Sequence, residues 1–283
     1  MSRTCVFFHA HPDDEALLTA GTMARLAAEG NRVVLVVATA GERGLAAEDS
    51  TGGRSLGEAR MAELHASADA LGVARVVPLG YSDSGLAGPG EEHERPADAF
   101  MDANVEEAAR RLAAILDEEK ADLLTIYDPA GGYGHPDHVQ VHRVGVRAAE
   151  LAGTPTVLEA TVDRDLLLRG LRLLSRVYRL PPEFDIRAFE RAYTPRSRIT
   201  HRIKVGRYAK AKRAAMAAHV TQTTGGDGER TLAALLRIPG PLFRLIMGTE
   251  WYVRRDAAPG TRLDDPFAPP PGVGSKDPES ETH

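Results

Sequence analysis

Apolar residues recur along the first half of the chain in short runs, separated by longer stretches with helical spacing. TCVFFHA at 4–10, RVVLVVATA at 32–40, ARVVPLG at 74–80, DLLTIYD at 122–128 and PTVLEAT at 155–161 read as strands. Between them, residues 14–30, 56–71, 98–119 and 136–152 repeat apolar positions every three or four residues and predict helices. Gly30, Gly72 and Gly153 follow three of these helices and can supply the left-handed residue that ends each one. Strands alternating with helices make βαβ units. The pattern therefore predicts an α/β fold over residues 1–161, a Rossmann-like, largely parallel sheet with flanking helices that forms the catalytic core.

Past residue 161 the pattern loosens. Residues 162–255 predict a smaller α+β C-terminal extension packed on the core, with strands at 197–205 and 249–255 and a helix near 206–218. LLLRGLRLLSRVYRL at 166–180 is amphipathic, and its repeated arginines exclude a membrane-spanning helix. Residues 256–283 carry proline, glycine and acidic groups with little apolar surface, and predict a disordered tail.

Composition narrows the classes of function. A chain of 283 residues, 43% hydrophobic and 27% charged, suffices for one large domain or a domain with an appendage. Its net charge of -5 offers no basic footprint, which argues against a nucleic-acid partner. The first apolar run is too short for a secretory signal and leads directly into HPDDE. The expected location is the cytoplasm, with no membrane partner and with homo-oligomerisation left open. The single cysteine, Cys5, excludes an intramolecular disulfide and any cysteine-rich zinc site, so a metal would need histidine and carboxylate ligands. Within its strand, Cys5 reads as a small buried hydrophobe.

Two segments hold such ligands, each where a strand gives way to a helix. FFHAHPDDEALL carries His11, Asp13 and Asp14; YDPAGGYGHPDHVQVH carries His135, Asp137, His138 and His142. A helix cap explains one aspartate in the first segment, but not a histidine and a second carboxylate beside it. Two histidines and a carboxylate suit a catalytic zinc that keeps a position open for water, which assigns His11, Asp14 and His138 as ligands. Asp13 is then free to take a proton from the activated water and return it to a departing nitrogen. His135 becomes an imidazolium that stabilises the oxyanion, with Asp137 holding its charge and orientation. His142 continues the helical face as a further ligand or as a packing residue. Iron(II), cobalt or nickel would also suit these ligands.

At AHPDDE (10–15), TAGERG (39–44), LGEARMAEL (56–64), LGYSDSGL (79–86), YDPAGGYGHPDH (127–138) and AAHVTQ (217–222) the chain resembles the LmbE-like family. That family of metal-dependent deacetylases includes the GlcNAc-phosphatidylinositol de-N-acetylases and the mycothiol-pathway enzymes. The resemblance implies the same fold, ligands, base and oxyanion stabiliser. It adds Tyr133 beside the scissile carbonyl, Arg60 and Asp83 as contacts to sugar hydroxyls, Glu42 with Arg43 as pocket groups, and His219 as a late histidine near the substrate. Each has a plainer reading: Arg60 as a surface arginine, Asp83 as a turn residue, Glu42 and Arg43 as loop charges, His219 as a helix-face histidine bonded to a neighbour. GERG, YSDSGL and AAHVTQ lean toward the mycothiol deacetylase and mycothiol-conjugate amidase branch, and a natural-product tailoring deacetylase would look similar. The expected substrate is a small N-acylated amino sugar.

Two rivals belong to other classes. A non-catalytic module could keep the fold and the metal to bind a sugar or a protein, but it has no need of Asp13. A nucleotide-binding Rossmann protein fits the alternation, yet the turn after the first strand reads HAHPDDE instead of a glycine-rich phosphate loop.

Overall fold

The computed structural model describes residues 2–44, 51–85, 95–177, 186–223, 231–258 and 260–269. Strands β1 (Thr4–His9), β2 (Arg32–Thr39), β3 (Arg75–Tyr81), β4 (Leu123–Tyr127) and β5 (Thr156–Thr161) sit within a residue or so of the five apolar runs. All five are parallel, in the order β3-β2-β1-β4-β5. Helices α1 (Asp14–Leu18), α2 (Ala20–Ala28), α3 (Leu56–Leu71), α4 (Val105–Glu119) and α5 (Pro136–Ala152) connect them.

Alternation along β1 explains the layering. Cys5 and Phe7 face one side, where they pack with Met23 and Leu26 of α2 and Leu64 of α3. Val6 and Phe8 face the other, against Leu112 and Leu116 of α4 and Val141 and Val144 of α5. Each fully buried phenylalanine contributes about 1.5–3 kcal/mol of transfer free energy. Burial pushes the Cys5 thiol up to about 12, as expected of an inert packing residue.

Local signals set the helix ends. Ser55 and Glu58 form a reciprocal capping box at the start of α3, and Asn104 caps α4. The helix expected over 14–30 is broken at Thr19, whose hydroxyl lies 2.8 Å from His9 Nε2 and also bonds back to the Glu15 carbonyl. The helix expected over 98–119 begins only at Val105, after a short 3-10 turn at Phe100–Asp102.

After β5 come α6 (Arg164–Val177), β6 (His201–Lys204), α7 (Ala209–Ala218), α8 (Val220–Thr223), α9 (Thr231–Arg237), α10 (Gly240–Met247) and β7 (Thr249–Arg254). The extension does not simply lie on the core. β7 adds antiparallel to β5, and β6 to β7, so one seven-stranded sheet runs through both parts. Glu250 on β7 fastens the join. Its carboxylate accepts from the Gly21 and Thr22 backbone N–H groups at the start of α2 and lies 2.6 Å from the Lys212 ammonium.

Residues 260–269, expected to belong to a disordered tail, are docked. Leu263 exchanges backbone hydrogen bonds with Thr200 and Arg202 along the β6 edge, and the Arg3 guanidinium lies over the Phe267 ring. Pairing with an open strand edge holds this stretch despite its polar composition. Of the residues in that expectation, 259 and 270–283 fall outside the described residues.

Candidate active site at the switch point

Strand order reverses direction between β1 and β4, and the chain leaving the carboxyl end of each strand opens a crevice there. HPDD follows β1 and HPDH follows β4, so the topology brings the two motifs together across 124 residues of sequence, from His11 to His135. The His11 ring centroid lies 4.8 Å from that of His135 and 5.5 Å from that of His138.

The predicted ligands converge. Asp14 lies between two histidines, with Oδ2 3.4 Å from His11 Nδ1 and Oδ1 3.3 Å from His138 Nε2. His138 Nε2 is buried and has no hydrogen-bond partner. His11 turns its other nitrogen, Nε2, to Asp137 at 3.1 Å, the carboxylate support that metal-bound histidines commonly have. Among the described residues, the groupings whose donors all lie within 4.8 Å of one another are His11 with His135 and His138, and His11 with Asp83, His135 and Asp137, with Asp14 outside both. In the latter the donors are already engaged. Both Asp137 oxygens accept from Ser84, both Asp83 oxygens accept backbone N–H groups, and His135 Nδ1 accepts from the Asp137 N–H. The orphaned His138 Nε2 beside Asp14 leaves His11, Asp14 and His138 chemically able to hold a divalent metal.

Charge favours a cation here. Against burial, which lowers it, the carboxylates of Asp137, Asp14 and Asp83 hold His11 well above the usual imidazole range. Asp14, despite burial, is held well below the carboxylate range by His138 and His11.

Asp13 differs from its neighbour. It stands just before α1 with φ 108, a left-handed conformation costly for a residue with a side chain, and makes no capping bond. Burial and Asp14 raise its carboxyl to about 6 although Arg60 opposes them. It keeps 20% side-chain exposure, so it can reach an incoming molecule. Its backbone N–H is held by Glu15 Oε2 at 2.9 Å; Glu15 Oε1 accepts from Ser67 Oγ and pairs with His219 Nε2, each at 2.6 Å. Glu15 and His219 are both fully buried.

Several expected roles change. His219 is fully buried and pairs with Glu15, which holds the Asp13 N–H, so it presents no surface to a substrate. Arg60 is only 3% exposed: its Nη1 donates to the Gly41 carbonyl, its Nη2 to the Pro12 carbonyl, and Asp13 Oδ1 is 3.3 Å away. It ties two loops under the site instead of facing a sugar. A Cβ on Gly41 would lie 2.4 Å from this guanidinium. Asp83 is likewise buried, engaged by the Gly85 and Arg43 N–H groups and close to His11. Glu42 remains exposed and accepts from the Asp83 N–H.

His135 also departs from expectation. Burial, His11 and His138 lower it to about 4, which makes it a neutral imidazole. Because Nδ1 accepts from the Asp137 N–H, the ring proton is on Nε2. Asp137 thus orients His135 through its backbone, and its carboxylate serves His11 and Ser84. Tyr133 is 51% exposed, its ring 5.0 Å from that of His138, and burial with Asp14 and Asp13 keeps its hydroxyl protonated. His142 lies apart, bonding the Tyr127 carbonyl.

The sequence reading missed Glu15, Ser67, Ser84, His9 and Tyr127. His9 Nδ1 lies 2.8 Å from the Tyr127 hydroxyl, and the Tyr127 ring packs 4.5 Å from His138. Glu15, His9, Ser84 and Tyr127 all stand inside the quoted segments without being singled out there, and only Ser67 lies outside them. The loop before α5 is shaped by Asp128, whose Oδ1 accepts the Ala130 and Gly132 N–H groups. Gly131, at φ 64, brings that loop so near α5 that a Cβ would meet the Val139 nitrogen at 2.6 Å.

Comparison with known proteins identifies the family and the fold. A family model described as PIG-L, GlcNAc-PI de-N-acetylase, matches residues 6–149. A 1D-myo-inositol 2-acetamido-2-deoxy-alpha-D-glucopyranoside deacetylase of Saccharomonospora viridis is 40% identical over 260 residues, covering 88% of this chain and 93% of that protein. In fold, the chain resembles the N,N'-diacetylchitobiose deacetylase of Pyrococcus horikoshii, with TM-score 0.57, 20% identity and coverage of 89% and 84%. It also resembles the zinc inhibited form of teicoplanin deacetylase Orf2, with TM-score 0.57, 18% identity and coverage of 90% and 100%.

Proposed function

The chain belongs to the GlcNAc-PI de-N-acetylase (PIG-L) family, and from that premise we propose that it is a zinc-dependent hydrolase removing the N-acyl group of a glucosaminyl-inositol or a closely related amino sugar. The observation that carries this reading is the buried His138 Nε2, without a partner and 3.3 Å from Asp14, next to a strained carboxyl raised to about 6. A module that only binds sugar has no use for such a carboxyl.

His11, Asp14 and His138 would hold the zinc, which would supply Lewis acidity for the amide carbonyl and for water. Asp13, ionised near neutral pH, removes the proton from the attacking water. Attack on the carbonyl carbon places negative charge on its oxygen, toward which the His135 Nε2–H and the Tyr133 hydroxyl donate. Asp13 then returns its proton to the nitrogen as the C–N bond breaks, leaving a carboxylic acid and a free amine. Arg60 and the Glu15–His219 pair hold Asp13 in place throughout.

The test is primary-amine release from N-acetylglucosaminyl-inositol, N-acetylglucosamine and a mycothiol S-conjugate, with metal-free and zinc-loaded protein beside Asp13→Ala. Zinc-dependent release that Asp13→Ala abolishes supports the reading. Protein that takes up no divalent metal after reconstitution sinks it.

A further inference from the structure

The extension after β5 returns to the active-site mouth through one residue. Tyr193 is not glycine, asparagine or aspartate, yet it adopts φ 56. Its N–H donates to the Gly132 carbonyl at 2.8 Å, directly beside Tyr133 in the loop that leads to the HPDH motif. Its ring lies close against Gly132, where a Cβ would approach Tyr193 Cε1 to 3.1 Å.

The next residue locks the arrangement. Thr194 donates its N–H to Thr161 Oγ1 and its hydroxyl to Asp128 Oδ2, and Thr161 donates to the same oxygen at 2.6 Å. Asp128 thus shapes the loop carrying Tyr133 with one oxygen and anchors the segment carrying Tyr193 with the other. A strained conformation held this firmly belongs to a site where the side chain is needed. The ring is half-buried, and its hydroxyl makes no hydrogen bond among the described residues. Burial, then Asp128 and Asp14, push that hydroxyl up to about 12, so it stays protonated within the field of a proposed metal ligand.

Near His11, Glu42 is exposed and accepts from the Asp83 N–H. The site therefore offers an exposed carboxylate and, at Tyr133 and Tyr193, aromatic rings. A pyranose or inositol ring has hydroxyl edges for the first and an apolar C–H face for the second.

We propose that Tyr193 is a specificity-determining residue, forming with Tyr133 the wall on which the non-reacting part of the amino-sugar substrate packs. This rests on the hydrolase reading above. Contact of this kind strengthens binding more than the chemical step, so its loss should appear in KM.

The test compares Tyr193→Gly, which accepts the same backbone conformation without a ring, and Tyr193→Phe, which keeps the ring, using zinc-loaded full-length protein. For N-acetylglucosaminyl-inositol, Tyr193→Gly should raise KM about 10-fold with kcat changed less than about 3-fold, and Tyr193→Phe should fall between it and wild type. The kcat/KM preference for that substrate over N-acetylglucosamine should shrink by a similar factor. Thermal melting checks that both variants fold. If kcat falls equally for both substrates while KM holds, Tyr193 only supports the loop and the proposal is overturned; unchanged kinetics overturn it as well. A wild type inactive on every amide overturns the hydrolase reading and the proposal with it, whereas an active wild type with unmoved KM in Tyr193→Gly overturns the proposal alone.

Discussion

The candidate active site is built from two copies of the tripeptide His-Pro-Asp, each at the end of a central parallel strand, and the copies sit differently in their helices. In the first, the helix begins after the aspartate: Asp13 stands at the cap position with φ 108, and Asp14 is the first helical residue. In the second, the helix begins after the histidine: His135 caps it with φ -61, Pro136 follows, and Asp137 already lies in the first turn. A two-residue shift in helix onset thus exposes one aspartate to the crevice and seals the other behind His11. The fourth positions, Asp14 and His138, face each other across the cluster in both cases. The motif supplies reactive groups, and the backbone around it decides which becomes base, ligand or support.

Substituting the two aspartates is the most direct way to break the comparison. Asp13→Asn should lower kcat about 10²–10⁴-fold while zinc content stays stoichiometric, since it removes the proton carrier and no ligand. Steady-state kinetics beside metal analysis decide this; an Asp13→Asn protein that turns over normally would reassign the base. The two histidines differ in the same manner. His135→Ala should cost about 10²–10³-fold in kcat with little loss of metal, because one oxyanion donor is gone. Asp137→Asn should instead weaken zinc about 10–100-fold in competition with a chelator, by loosening His11, and should recover much of its activity at saturating zinc. Weakened zinc in Asp13→Asn, and not in Asp137→Asn, would reverse the roles of the two aspartates.

How much of this the chain discloses in advance depends on how local each feature is. Five strands and the ends of α3 and α5 follow from apolar runs, capping groups and glycines within a few residues of one another, and the structure places them as expected. The break at Thr19 could not be seen, because it depends on His9, ten residues earlier. Nor could the joining of β7 to β5, a pairing between Leu158–Thr161 and residues at Trp251–Arg254 far along the chain. At the site, residue type was legible and direction was not. Arg60 and His219 stand close to the two motifs, but as buried groups fixed by Pro12, Gly41 and Glu15 and not as the substrate contacts that the resemblance implies. The neutral state of His135 likewise comes from its burial and from two histidines placed beside it by the fold.

The pH profile sharpens the contrast at a smaller scale. Burial raises Asp13 to about 6, and as a base it must begin ionised, so kcat/KM should fall as pH drops through roughly 6, approaching tenfold per pH unit. A bound cation favours the carboxylate and shifts this limb lower, never higher. Asp137 carries no proton in the reaction, so Asp137→Asn at saturating zinc should keep the wild-type limb. A limb that disappears in that variant would mean the sealed aspartate is the one that titrates.

The smallest effect isolates the backbone alone. Asp13→Gly and Asp13→Ala both remove the carboxylate, and the contact with Arg60 along with it, so the difference between them reports the conformation. Holding a side chain at φ 108 costs about 1–3 kcal/mol that glycine escapes. Glycine gives back about 0.4–1 kcal/mol through the greater freedom of its unfolded chain. Asp13→Gly should therefore melt above Asp13→Ala, by roughly 2–4 °C for each kcal/mol that remains in a protein of this size. At Asp137, inside a helical turn, there is no strain to relieve and only the cost of glycine remains, so Asp137→Gly should melt below Asp137→Ala. Opposite signs at the same position of the two tripeptides are what a shifted helix onset requires; the same sign at both would mean that the first tripeptide is unstrained and that its aspartate is exposed for some other reason.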